Sequence, residues 1–75
     1  MAEQNLNEYE GYSPGDQVVV VQDDENGMYF TEEEGQIESI VKYSGDVVWP
    51  RTAVYVMFDG QDSPTEVKVE DIEPV

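Results

Sequence analysis

The chain has 75 residues, and eighteen acids stand against Lys42, Arg51 and Lys68, giving a formal net charge of −15 at pH 7. One domain near the lower size limit for a self-sufficient core is the expectation, and the charge leaves no positive face for direct contact with nucleic acid or an anionic membrane. With no cysteine and no histidine in the chain, disulfides and thiolate or imidazole zinc sites are excluded.

In chain order, residues 1–13, "MAEQNLNEYEGYS", are polar, acidic and without periodicity, and read as a flexible acidic tail. They show neither the basic nor the apolar region of a signal peptide, and no apolar run approaches the roughly 20 residues that span a bilayer. A cytoplasmic protein is expected. "SPGD" at 13–16 is a turn, with Pro at a preset φ before Gly, and a folded domain over 14–75 follows it. Four β-rich blocks come next: "DQVVVVQ" (16–22), "GQIESIVKY" (35–43), "TAVYVMFD" (52–59) and "TEVKV" (65–69). Turn material separates them: a long acidic loop at 23–34, "SGDVVWPR" (44–51) and "GQDSP" (60–64). "EDIEPV" closes the chain as a single 3₁₀ turn feeding a short edge strand at 72–75.

The expected fold is all-β, a small five-stranded barrel. "PGDQVVVV", "EGQIESI", "VYVMFDG" and "TEVKVEDIEPV" together resemble the SH3-like barrels, and more narrowly the KOW-type domains, over about residues 13–75. That resemblance implies binding of RNA or protein, but the basic loop residues of the RNA-binding version are missing here. Val18–Val21 and Val54–Phe58 are apolar on both faces of their strands, whereas a half-solvated strand alternates. Two covers for the second face stand side by side: the 23–34 loop with Trp49 as a lid, or a homodimer interface.

Three chemistries compete for the acids. A cation site is suggested by Asp24, Asn26, Gly27 and Glu33, which fall in part of a calcium-hand register, but its first position is Gln22 and its flanks read as strands. Catalysis is not expected: the serines have no histidine to activate them, no cysteine nucleophile exists, and a filled barrel of this size offers no pocket to raise a carboxyl pKa. No cofactor is expected either. A binding surface remains. Side chains on one face of a strand recur about every 6.6–7 Å, close to the spacing of phosphates along one DNA strand.

Glu66 and Glu70 share a face with Lys68 between them, Asp71 and Glu73 extend that line, and Asp23, Asp24, Glu25 with Glu32, Glu33, Glu34 add two loop clusters. Within the loop, Met28, Tyr29 and Phe30 are either core or an apolar anchor ringed by charge. In size and acidity the chain resembles phage-encoded acidic DNA-mimic inhibitors. That resemblance implies a basic DNA-binding partner, with a histone-like HU-type nucleoid protein as the type that reads DNA by shape and backbone. The alternative is an accessory or scaffold subunit whose acidity serves solubility or docking.

Overall fold

A computed structural model describes residues 2–75. Among the described residues the architecture is all-β: six strands in one antiparallel sheet, with a single 3₁₀ turn. The strands are β1 (Ala2–Asn5), β2 (Gln17–Val20), β3 (Glu34–Ser44), β4 (Arg51–Phe58), β5 (Thr65–Val67) and β6 (Ile72–Pro74), and the 3₁₀ turn is Val69–Asp71. Their order is β5-β4-β3-β2-β6. β3 organises the sheet. Along one edge it pairs with β4 throughout, and along the other it pairs with β2 at its start and β1 at its end. Among the described residues no ladder joins β5 to β6, the two ends of the path.

The count of six corrects the expected five, because the segment expected to be a loose tail joins the sheet. Met1 lies outside the described residues. From Ala2 to Asn5 the backbone pairs with Ser44 to Val41, and Tyr9 and Tyr12 then exchange N–H···O bonds across a two-residue turn. Glu10 (φ 54°) and Gly11 (φ 82°) both occupy the left-handed region that this tight turn demands. Tyr12 is buried, and its hydroxyl donates to the Ile72 carbonyl at 3.2 Å. Polar composition hid this: β1 exposes all four side chains, so it contributes backbone pairing and no hydrophobic signal.

Core residues come from one face of each central strand. Val18 and Val20, Ile37 and Ile40, Val54, Val56 and Phe58, Val67 and Ile72 form a single cluster with Tyr12 and Tyr29. Ile37 and Ile40 are three apart, yet both point inward, because a bulge at Glu38 shifts the register between Ile37 and Ser39. Gly35 stands opposite Phe58 at the start of β3. A Cβ there would stand 2.6 Å from the Met57 carbonyl oxygen and 2.8 Å from Val56 Cγ1, so only glycine fits.

Of the expected lid, Trp49 does not lie over the second face: it is 73% exposed. On that face Val19 and Met57 remain half-buried and Val21 exposed. Val41 and Ala53 are buried there, flanked diagonally along the register by Tyr43 and Tyr55. The two hydroxyls meet at 2.8 Å, so the tyrosines arch over the small pair.

Candidate partner-binding surface

The acidic loop is held by its own carboxylates. Asp23 Oδ1 accepts the Thr31 N–H at 2.7 Å, Asp24 Oδ2 accepts the Met28 N–H at 3.0 Å, and Glu33 Oε1 accepts the Phe30 N–H at 2.8 Å. Charge-assisted bonds to backbone are the strong kind, and a loop this long has few other partners for its N–H groups. Gly27, at φ +75°, supplies the reversal. Half of the six loop acids therefore shape the loop.

The Met28-Tyr29-Phe30 triplet divides. Tyr29 is core: it is 1% exposed and stacks near Phe58 with centroids 6.2 Å apart. Met28 and Phe30 stay outside, 61% and 54% exposed. The Tyr29 hydroxyl donates to Asp71 Oδ2 at 2.6 Å and accepts the Lys68 N–H at 3.2 Å. Burial first, and then the Asp71 carboxylate, push the phenol up to about 12. Asp71 is only 2% exposed, and among the described residues its Oδ1 has no hydrogen-bond partner. Tyr29 and Asp71 thus leave the expected surface. They latch the loop to the 3₁₀ turn, because the turn's last residue points inward to meet the loop's only inward side chain.

Strand pairing builds an acidic row that the sequence kept apart. Val19 stands between Glu73 on β6 and Glu34 on β3. Beyond Glu34, the Asp59 N–H donates to the Glu34 carbonyl at 3.1 Å, placing Asp59 beside it at the end of β4. Neighbouring strands lie about 4.8 Å apart, so Glu34 and Asp59 are neighbours and Glu73 sits about 10 Å from Glu34. Glu32, in the left-handed region at φ 74°, borders the row at the head of β3, where its N–H donates to the Val20 carbonyl. Glu70 is exposed on the adjoining 3₁₀ turn.

The opposite end of β3 is built differently. Arg51 donates through Nε and Nη2 to both Glu66 oxygens, at 2.9 Å each, and its guanidinium lies 4.8 Å from the Tyr43 ring centre. Its bonds to Glu66 raise the Arg51 pKa further. The Tyr43 bond, and then burial, push Tyr55 up to about 12. Val48 and Trp49 project from the β3–β4 turn, 85% and 73% exposed. At the loop end, Lys68 reaches Glu25 at 3.2 Å.

Of the expected surface residues, Glu32, Glu34 and Glu73 come together, Glu70 adjoins them and Phe30 is exposed nearby in the chain. Glu25 and Glu66 are spent on the cations, and Glu66 sits away from the row. Asp59 was missed by sequence reasoning. Its signal was the β3–β4 register, which carries Gly35 to Phe58 and so Glu34 to Asp59. Among the described residues no group of Asp and Glu side chains has the arrangement of a metal site, and two members of the calcium-like pattern, Asp24 and Glu33, are bonded to backbone. No family model, curated protein or solved structure matches the chain.

Proposed function

We propose that this protein is a non-catalytic DNA mimic whose acidic end occupies the DNA-binding surface of a basic partner. The observation that carries the reading is charge spacing on a folded body. Every acid except Asp71 remains at the surface or half-buried. A net charge of −15 on a body 35 Å long gives one net charge per about 2.3 Å of its long axis, against roughly 1.7 Å per charge along duplex DNA. Its two shorter dimensions are 25 and 23 Å. A basic groove that releases counterions from phosphates would find fixed carboxylates at similar density. The strand order, the 3₁₀ turn before the last strand and the long first loop support an SH3-like barrel as the scaffold, with β1 as an addition. A partner that reads DNA by shape and backbone, such as an HU-type nucleoid protein in the cytoplasm, fits a surface that carries charge without bases.

The test is competition. The protein should displace such a partner from duplexes of unrelated sequence equally well, with affinity falling steeply as salt rises. Displacement from one sequence only, or none from any duplex at low salt, would remove the mimic reading. Val48 and Trp49, exposed at the end away from the acidic row, favour a second reading: an accessory subunit docking through that tip. Loss of complex formation on Trp49→Ser, with charge variants unaffected, would select it.

A further inference from the structure

The outer edge of β1 is open and self-complementary, and we infer that two copies of this chain pair there. The Leu6 N–H donates to the Ile40 carbonyl at 2.8 Å, and Asn5 stands opposite Val41. Along an antiparallel strand, hydrogen-bonding groups alternate between the two sides. Gln4 therefore points its N–H and C=O toward β3, as Leu6 does, and Glu3 and Asn5 point theirs outward.

Outward groups must meet outward groups across a two-fold axis, so few registers are allowed. Centring the axis on Gln4 sets Glu3 opposite Asn5 of the second copy, and Asn5 opposite its Glu3. Four N–H···O bonds form, and no acid faces an acid. The other sheet edges are blunter. β6 ends in Pro74, and β5 is three residues long before the 3₁₀ turn, whereas β1 carries no Pro, Lys or bulge, the usual protections of an edge strand.

Charge favours the same edge. Two chains of −15 repel wherever acids dominate. β3, the strand beside β1, holds Lys42, which stands opposite Gln4, whereas Arg51 lies one strand further on β4, opposite Tyr43 and paired with Glu66. Lys42 offsets part of the repulsion there, and closed two-fold pairing is the commonest way identical chains associate. The inference stands independently of the proposed function, since it uses neither the acidic row nor a DNA-binding partner.

Sedimentation equilibrium on the free protein tests it, with Asn5 as the probe. The native chain should pass from monomer to dimer with concentration, and more readily as salt screens the repulsion. Asn5→Lys places a cation opposite each Glu3 and should tighten the dimer about tenfold, whereas Asn5→Glu should weaken it by a similar factor. Asn5→Pro removes only an outward N–H, which an edge strand tolerates, so it should leave a folded monomer with an unchanged melting temperature. In the dimer, Glu3 and Asn5 amides should gain protection from hydrogen exchange. A monomer at every concentration and salt would overturn the inference. So would a dimer indifferent to all three Asn5 changes, or one dissolved by Trp49→Ser.

Discussion

The two ends of β3 use the same residue types for opposite purposes. At the loop end, carboxylates are satisfied by backbone N–H groups and a tyrosine hydroxyl, and Lys68 pairs with Glu25. At the β3–β4 turn, a carboxylate is satisfied by an arginine, and two tyrosines satisfy each other. The difference teaches that an acidic chain can fold without matching cations. Loop amides, which would otherwise need water, accept the task, and the acids left over are free to face outward.

The Tyr29–Asp71 latch offers the largest test of this contrast. Tyr29→Phe keeps the ring but strips a buried carboxylate of its donor, so it should cost about 3 kcal/mol or more in chemical denaturation. Tyr55→Phe at the other end loses a half-buried hydroxyl pair and should cost only about 1 kcal/mol. Equal losses would mean that the loop end is not held by the latch.

Gly35→Ala comes next. Its Cβ would meet the Met57 carbonyl and Val56, so a loss of about 2 kcal/mol is expected from overpacking at the joint between the loop end and the sheet.

Alkali should weaken both ends together. Tyr29 and Tyr55 are each pushed up to about 12 from a usual 10.0, so the folded state favours their neutral forms. Stability from them is complete below the unfolded value and is lost as pH rises from about 10 through 12. Melting temperatures across that window should fall less steeply in Tyr29→Phe than in the native chain.

The smallest effect is a gain. Glu34→Gln removes a like-charge neighbour of Asp59 and should add about 0.5 kcal/mol. Added salt should shrink that difference, whereas a loss on Glu34→Gln would mean that the carboxylate has a structural partner.

The strands and the 3₁₀ turn were legible because they bury apolar faces. The alternation of "EVKV", the valine run and the turn residues all mark where the core must close. β1 was not legible, because a strand with four exposed polar side chains leaves no periodic trace. Tyr29 was not resolved from Phe30, because neighbouring loop side chains take opposite faces only once the backbone is fixed. Asp71 read as one more surface acid, since nothing local shows that a 3₁₀ turn will rotate it inward toward a tyrosine 42 residues away. The acidic row depended on register, and the bulge at Glu38 is a tertiary adjustment that moves Ile40 back to the core.

The most direct measurement of the central claim removes the same charge from each end. One variant neutralises Glu34, Glu73 and Asp59 to their amides, and the other does so to Glu3, Asp46 and Glu66. Each is tested for displacing an HU-type protein from duplex DNA at fixed salt. The acidic-row variant should lose more than tenfold, about 1.4 kcal/mol, and the other several times less. Equal losses would show that total charge alone acts, and no loss in either would contradict the mimic reading outright.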